Sequence, residues 1–388
     1  MITKKDNMII LSGKIDSNNA KQFEDELLAA AGDNAETVTI DAKELEYISS
    51  AGLRVFLKLK KGAKGEVSVV NVSKDVYDIF EVTGFTELLN VKKVLRELSI
   101  YGMKLIGKGA TGSVYRADEE TIIKVFNENV SLDLINRESV KAKNAFIFGV
   151  STAISYDMVK VGKCYGVVYE MLNAEDLLNI IRNDKAHMEE YIRNFAVKMR
   201  QMNEIEVDDR FEDTKVGTVK YLGYLEGKFC TSEEVGKLRA VIENVPDRNT
   251  FIHGDAHIGN VMLQNGEYMF IDLSTSGKGH PIFDMVSMYM GFKMGQRTDE
   301  ETRKNSELIR GFTNDELELI WNTYLKTYLD TKDGELIKKA EEQIKAITGA
   351  RVILAAISLP GHFKSGQIEY FKNTAIEYYD KGMEQICF

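Results

Sequence analysis

The stretch F-I-H-G-D-A-H-I-G-N-V-M-L runs from Phe251 to Leu263, and M-F-I-D-L follows it and adds Asp272. Asp255, Asn260 and Asp272 interrupt apolar, strand-like runs there, and an Asn-Gly pair between the runs predicts a tight hairpin turn. Phosphoryl transfer from a nucleotide needs such a set of polar groups. One carboxylate orients the attacking hydroxyl, while an amide and a second carboxylate hold the magnesium that neutralises the phosphates.

Two histidines of the same stretch, His253 and His257, stand four residues apart. A zinc site needs three or four ligands, and His280 is the only other histidine or cysteine nearby in the sequence. A metal pair is therefore disfavoured, and His253 is expected to brace the loop. Asp284, in H-P-I-F-D, is expected to be a structural anchor.

The composition indicates a soluble globular protein of two or three domains. The chain has 388 residues, of which 44% are hydrophobic and 28% charged, and its net charge is −10. The acidic balance argues against a nucleic-acid or membrane-surface binder and leans towards a cationic small substrate. Three scattered cysteines argue against a disulfide framework. With no signal-peptide or membrane-spanning pattern, a cytoplasmic protein is the expectation.

Two kinds of patterning divide the chain. Up to residue 98, strands alternate with helices such as Ala20–Ala31, which predicts an α/β sheet with helical cover. Hairpin-like strands then follow, and beyond Asp176 the chain looks mostly helical. We therefore predict domains at 1–98 and 99–388, the second being α+β with a β-rich lobe at about 100–172 and a helical lobe at about 173–388.

The second domain opens with a glycine-rich loop, in which Gly107, Gly109, Gly112 and Val114 supply the pattern G-x-G-x-x-G-x-V. Glycines allow a tight turn and a close approach of the backbone to phosphates. The residues after the loop look like a second strand. A dinucleotide-binding motif should lead into a helix instead. The interpretation of the loop as a dinucleotide-binding motif is therefore disfavoured.

Lys124 follows the loop in the strand 121–126, flanked by apolar residues. It is expected to bind phosphate, although an edge lysine with a solvated head fits the same pattern. Its expected partner is Glu138, on a helix predicted from Arg137 to Phe146, and Glu128 is the less favoured choice. Further on, Glu170 and Leu172 end an apolar strand where a two-lobed kinase offers backbone groups to adenine.

The motif H-G-D-A-H-I-G-N, followed by I-D-L and F-D-M, makes residues 100–388 resemble the aminoglycoside phosphotransferase/choline kinase family of protein-kinase-like enzymes. Protein kinases carry H-R-D and D-F-G instead, so Gly254 favours the small-molecule branch. The resemblance implies ATP and Mg2+ as cofactors. It also implies that Asp255 is the catalytic base, that Asn260 and Asp272 are magnesium ligands, and that Lys124 pairs with Glu138.

The first domain resembles STAS domains, the family of anti-sigma factor antagonists. The resemblance rests on L-S-G-K-I-D-S-N-N-A-K-Q-F, on Y-I-S-S-A-G-L-R-V-F-L and on T-G-F-x-x-L near Thr83–Leu88. It implies a protein partner and a regulatory phosphorylation site at Ser50. A phosphate there would lie at a helix N-terminus. A helix N-cap is the competing interpretation of Ser50.

Two functions from different classes remain open. One is an ATP-dependent phosphotransferase that acts on a small hydroxyl compound and carries a STAS module for regulation or partner binding. Aminoglycosides, choline or ethanolamine, amino acids and sugars are all candidate acceptors, and GTP could replace ATP. The alternative is a partner-switching signalling protein whose kinase-like domain is inactive or phosphorylates a protein serine.

Overall fold

The computed structural model describes residues 2–5, 8–32, 36–109, 111–297, 300–358 and 365–388. The chain divides into two compact units between Glu97 and Leu98. Within the described ranges, no helix is both long enough and apolar enough to cross a membrane. The predicted fold class is confirmed, because an α/β unit precedes a unit with a sheet-rich part and a helical part.

The first unit is a five-stranded sheet with helices. Its elements are β1 (Ile2–Lys5), β2 (Met8–Ile15), α1 (Ala20–Ala31), β3 (Thr37–Ile48), α2 (Ser50–Gly62), β4 (Glu66–Val72), α3 (Lys74–Val82), α4 (Phe85–Leu88), β5 (Asn90–Lys93) and β6 (Arg96–Glu97). The sheet order is β1-β2-β3-β4-β5, in which β1 pairs antiparallel with β2 and the other pairs are parallel.

The apolar faces of the three longer helices hold this unit together. Phe23 of α1, Phe56 of α2 and Phe80 of α3 are fully buried, and neighbouring rings lie 5.9 and 5.5 Å apart. Helix α2 begins after Ser49, whose hydroxyl accepts a hydrogen bond from the amide of Gly52. Ser50 is therefore the first helical residue, and Ser49 takes the capping role that was open for Ser50.

The second unit starts with a β-rich part. Its elements are β7 (Lys104–Lys108), β8 (Gly112–Arg116), β9 (Thr121–Phe126), α5 (Leu132–Ile147), β10 (Ser155–Val161) and β11 (Cys164–Glu170). The strands run antiparallel in the order β7-β8-β9-β11-β10. Ile123, Val159 and Val168 lie in its apolar core.

The rest of the second unit is mostly helical. Its elements are β12 (Glu175–Asp176), α6 (Leu177–Asn183), α7 (Met188–Asn203), α8 (Thr214–Leu222), α9 (Ser232–Glu243), β13 (Thr250–Ile252), β14 (Val261–Gln264), β15 (Glu267–Phe270), β16 (Gly277–Gly279), α10 (Ile282–Met288), α11 (Glu300–Asn305), α12 (Asn314–Leu329), α13 (Gly334–Ser358) and α14 (Ser365–Asp380). Phe195, Phe251, Phe283 and Trp321 are fully buried in its core.

The hairpin of β14 and β15 lies between two of the polar residues of the opening motif, Asn260 and Asp272. Asn265 and Gly266 both have positive φ, 50° and 83°, as the predicted tight turn requires. The amide of Ile271 also donates to the carbonyl of Asn260 over 3.0 Å. Residue 272 is therefore held beside residue 260, although 12 positions separate them in the sequence.

Candidate active site

The glycine-rich loop forms the turn between β7 and β8. The amide of Gly109 donates to the carbonyl of Gly112 over 2.9 Å, and Gly107 pairs with Val114 across the hairpin. Close packing requires the glycine at 112, because a Cβ there would lie 2.3 Å from the carbonyl oxygen of Val125. The loop is followed by a strand, as expected. Its residue 110 lies outside the described part of the chain.

Lys124 of β9 and Glu138 of α5 form an ion pair, with 2.6 Å between Nζ and Oε1. Burial raises the pKa of Glu138, and the charge of Lys124 opposes that effect. The hydroxyl of Tyr169 also faces this carboxylate at 3.4 Å. Because Lys124 Nζ lies only 3.7 Å from Asp272 Oδ1, the pair joins the β-rich part to the motif in the helical part.

The segment after β11 links the two parts. The carboxylate of Glu170 accepts a hydrogen bond of 3.2 Å from the amide of Ile154, so this side chain supports the sheet. The side chain of Leu172 is buried, and the amide of Met171 donates to the carbonyl of Glu120 over 2.7 Å. Contact of Glu170 and Leu172 with adenine stays a prediction.

Asp255 follows a residue with an unusual backbone. Gly254 has φ +83°, and a Cβ there would lie 2.3 Å from the carbonyl oxygen of Thr275. Oδ1 of Asp255 accepts a hydrogen bond of 2.9 Å from the hydroxyl of Ser287 on α10. The side chain of Asp255 remains 49% exposed, so a substrate hydroxyl can reach it.

A buried carboxylate holds the backbone on the other side of Asp255. Asp284 is fully buried and accepts hydrogen bonds from the amides of His253 (3.0 Å) and Gly254 (2.7 Å) and from Asn203 Nδ2 (2.8 Å). Burial raises the pKa of Asp284, and the hydrogen bonds from these donors oppose the rise. The expected anchoring role of Asp284 is confirmed by these contacts.

His253 braces the loop, as expected. Its Nδ1 accepts a hydrogen bond of 3.3 Å from the amide of Asp255. The ring proton is therefore on Nε2, which donates to the carbonyl of Ile271 over 3.1 Å. Nε2 of His257 lies 3.8 Å from Asp255 Oδ1, and burial lowers the pKa of His257. Among the described residues, no group of three or more histidine, cysteine, aspartate or glutamate residues could hold a metal ion.

Asn260 lies against Asp255, and the hydrogen bond from the amide of Ile271 holds Asp272 beside Asn260. The Nδ2 of Asn260 donates to the backbone carbonyl of Asp255 over 2.9 Å, which turns the amide oxygen away from that contact. Asp272 adopts a left-handed conformation, with φ 59° and ψ 64°, and its Oδ1 accepts from Ser274 Oγ over 3.1 Å. Such backbone strain in a non-glycine residue concentrates at functional sites.

This donor set fits magnesium. Mg2+ in nucleotide-dependent transferases is held by one or two carboxylates together with substrate phosphates rather than by an all-protein cage. One carboxylate, from Asp272, and one amide oxygen, from Asn260, match that requirement. The side chain of Asp272 is 48% exposed, so its carboxylate is accessible from solvent.

Four side chains at the site carried no sequence signal. They are Ser287 against Asp255, Asn203 against Asp284, Tyr169 against Glu138, and Lys141, whose Nζ donates to the carbonyl of Ser274 over 3.1 Å. Asn203 is also fixed by the hydroxyl of Tyr328, which donates to its Oδ1 over 2.9 Å. None of these lies in a recognisable motif, and each meets its partner only through the tertiary fold.

Family models match both parts of the chain. Residues 2–91 match the model described as Mlab, STAS domain, and residues 167–319 match the phosphotransferase enzyme family. The first part of the chain is thus similar to STAS domains, and a segment of the second part is similar to phosphotransferase enzymes. The match to the phosphotransferase family contains Asp255, Asn260 and Asp272 but begins after Lys124 and Glu138. Only the structure shows that this ion pair lies next to the motif that contains Asp272.

The STAS part has curated relatives. It is 39% identical over 93 residues to the putative anti-sigma factor antagonist BtrV of Bordetella bronchiseptica, a match over 23% of this chain and 80% of that protein. It is 27% identical over 94 residues to an anti-sigma-B factor antagonist of Listeria monocytogenes, over 24% of this chain and 82% of that protein.

Solved structures that are similar to this chain include an aminoglycoside phosphotransferase and a choline kinase. The aminoglycoside phosphotransferase APH(2'')-Ib with ADP bound is 13% identical, with a TM-score of 0.47, over 78% of this chain and 98% of that one. The choline kinase LicA of Streptococcus pneumoniae is 14% identical, with a TM-score of 0.44, over 80% of this chain and 100% of that one.

Proposed function

We propose that the chain is an ATP- and Mg2+-dependent phosphotransferase that moves a phosphoryl group to a hydroxyl of a small molecule. One observation carries the proposal: the Lys124–Glu138 ion pair converges on Asp272, with 3.7 Å between Lys124 Nζ and the Asp272 carboxylate. A fixed lysine beside a carboxylate provides a phosphate ligand next to a metal ligand. Asp255 supplies the third element, a carboxylate open to a hydroxyl.

The nucleotide is bound by the β-rich part in this proposal. The backbone of the loop at Gly107, Gly109 and Gly112 lies against its phosphates, and Val114 packs against the base and sugar. Lys124 pairs with the phosphate charge while Glu138 fixes its position. Backbone groups near Glu170 and Leu172 bind adenine.

Asp255 then acts on the acceptor. The acceptor oxygen attacks the γ-phosphorus and forms the new O–P bond, while the bond from the γ-phosphorus to the β–γ bridging oxygen breaks. The hydroxyl proton passes to Asp255, and the products are ADP and a phosphate ester. Ser287 holds Asp255 Oδ1, so the carboxylate keeps one orientation as it receives the proton. When bound to Asn260 and Asp272, magnesium supplies positive charge that neutralises the phosphates.

The test is release of the nucleoside diphosphate by the full chain with a panel of hydroxyl acceptors, ADP when ATP is the donor and GDP when GTP is the donor. We expect Asp255→Asn to keep nucleotide binding and to lose transfer, because only the proton acceptor is removed. Asp315→Asn, an exposed change in α12, is the matched control and should behave like the wild type. Absence of nucleotide binding by the wild type would favour the alternative, a signalling protein with an inactive kinase-like domain.

For the STAS part we propose a regulatory role through a protein partner of the anti-sigma factor class, with Ser50 as a phosphorylation site. The supporting observation is local. Ser49 serves as the helix cap, while Ser50 is exposed at the start of α2. Incubation with labelled ATP, with and without candidate partner kinases, should label the wild type and not Ser50→Ala. Equal labelling of both would contradict the assignment.

A further inference from the structure

Arg351, on α13, is a deep cation close to the candidate base. Its guanidinium NH1 donates to the carbonyl of Phe283 over 2.7 Å, and its Cζ lies 5.5 Å from the centre of the Phe283 ring. The residue as a whole is only partly exposed. Arginine keeps its charge in a protein, so this charge has been moved from water to a site of low polarity.

The hydrogen bond to the carbonyl of Phe283 places Arg351 beside α10, the helix whose Ser287 contacts Asp255. In an α-helix the carbonyl of residue i points at the amide of residue i+4, so the carbonyl of Phe283 points at Ser287. Ser287 in turn donates its hydroxyl to Asp255 Oδ1 over 2.9 Å. The guanidinium therefore lies one helical turn along α10 from the hydroxyl that touches the base.

The electrostatics agree with this position. Burial lowers the pKa of Arg351, and the carboxylates of Asp284 and Asp255 oppose that effect. Asp284 already accepts three hydrogen bonds from other groups. Neither carboxylate accepts a hydrogen bond from Arg351 in the described part of the chain.

Arg351 is thus incompletely paired. A guanidinium has five N–H donors, and within the described ranges of the chain Arg351 uses one of them, on a neutral carbonyl. Among the described residues, no carboxylate lies within ion-pair distance of it. Buried charges are normally paired, and a guanidinium matches carboxylate and phosphate groups with two parallel hydrogen bonds. An anion that entered beside Asp255 would supply what is missing.

We propose that Arg351 binds an anionic group of the acceptor, so that the acceptor is a hydroxylated carboxylate or phosphate and not a cation such as an aminoglycoside or choline. This rests on the proposed function, since it concerns the acceptor side of the same site. For the choice of acceptor, the charge of Arg351 near Asp255 matters more than the overall negative charge of the chain. Net charge acts at long range and is screened by salt, whereas a partly buried cation acts directly on a bound group.

The test pairs acceptors that differ in one anionic group: glycerate with glycerol, and glucose 6-phosphate with glucose, beside choline and kanamycin. ADP release by the full chain is compared among the wild type, Arg351→Met, Arg351→Lys and Lys338→Met. The last removes a cation from the exposed side of the same helix and serves as control. We expect the anionic member of at least one pair to be preferred. Its KM should rise by roughly 100-fold in Arg351→Met, because a site built to pair a charge loses it. Arg351→Lys should restore part of the loss.

Three results would overturn the proposal. The first is turnover confined to neutral or cationic acceptors. The second is a uniform fall in kcat for all acceptors in Arg351→Met with KM unchanged, which would assign Arg351 to the reacting phosphoryl group or to the fold. The third result applies if no acceptor reacts. Glycerate and inorganic phosphate are then titrated calorimetrically into the full chain, with and without ADP. Absence of binding, or binding that does not depend on Arg351, rejects the site. Failure of the proposed function is separate, because it appears as absence of nucleotide binding or as turnover that survives Asp255→Asn.

Discussion

Replacing Gly254 by alanine tests whether the backbone before Asp255 is as tightly enclosed as the structure indicates. Gly254 has φ +83°, and the new Cβ would lie 2.3 Å from the carbonyl oxygen and 3.0 Å from the Cβ of Thr275. Thr275 belongs to the short turn that follows Asp272. The substitution must therefore displace the segments that carry Asp255 and Asp272 together.

The expected magnitude has two parts. A left-handed conformation costs an alanine roughly 1 kcal/mol. The contact with a backbone carbonyl adds about 2 kcal/mol, in the range of overpacked sites. A total of about 3 kcal/mol corresponds to a fall of roughly 6–12 °C in the Tm of a domain of this size. Gly266→Ala is the matched control, because Gly266 has the same φ of +83° and no heavy atom within 4 Å of its Cβ position.

The assay is thermal unfolding of both variants together with ADP release. Gly266→Ala should lose only the conformational part, about 1 kcal/mol, and keep its turnover. Gly254→Ala should lose about three times as much stability and at least ~10-fold in kcat, since catalytic geometry tolerates little displacement. Equal Tm values for the two variants, with turnover retained in Gly254→Ala, would refute the close contact with Thr275.

Three further predictions concern the site and its support. Lys124→Met should lower kcat by roughly 100-fold in the ADP-release assay, because a preorganised charge on the phosphates is lost. Ser287→Ala should lower kcat by roughly 5- to 10-fold with an unchanged Tm, since one hydrogen bond of about 1 kcal/mol to Asp255 is removed. Burial lowers the pKa of His280 from 6.5 to about 4, so the unfolded chain binds more protons between these pH values. Stability is then lost as the pH falls through this window, by about 2 kcal/mol between pH 7 and pH 5 in urea unfolding.

Each of these has a contradicting result. Lys124→Met with normal turnover would remove the lysine from phosphate binding, and Lys104→Met, at the exposed start of strand β7 and outside the glycine-rich loop, is its control. A lower Tm in Ser287→Ala would mean that the hydroxyl supports the fold instead of orienting Asp255. If His280→Gln keeps the same loss of stability between pH 7 and pH 5, the pH dependence comes from another group.

The elements that could be predicted from sequence are those whose apolar spacing is uninterrupted. The bounds predicted for α1, Ala20–Ala31, and for the strand Thr121–Phe126 coincide with the observed ones. The apolar spacing predicts that α5 begins at Arg137, whereas the helix begins at Leu132. Its first turn is specified by a capping serine, Ser131, and by an exposed Leu134, so the apolar pattern does not reach it.

The same distinction holds for the candidate site. Asp255, Asn260 and Asp272 could be proposed together because they lie within one short stretch of sequence. The Lys124–Glu138 ion pair was also expected, and the structure contains it. By contrast, Ser287 and Arg351 contact their partners across 32 and 68 positions of the chain. A lone serine or arginine on a helix has no pattern that reveals such a contact before the fold is known.

The carboxylate of Asp284 has a consequence for motion. The amides of His253 and Gly254 belong to a loop, where exchange with solvent deuterium is usually fast, yet both donate to a fully buried acceptor. Exchange requires these hydrogen bonds to open, which separates the loop from α10 and exposes the core. These two amides should therefore exchange about as slowly as the helices of the core. The amide of Gly109, next to the exposed strand β7, should exchange much sooner. In the proposed reaction, the hydroxyl compound would then meet an Asp255 that is held in place. The glycine-rich loop at Gly109, on the nucleotide side, would remain free to adjust.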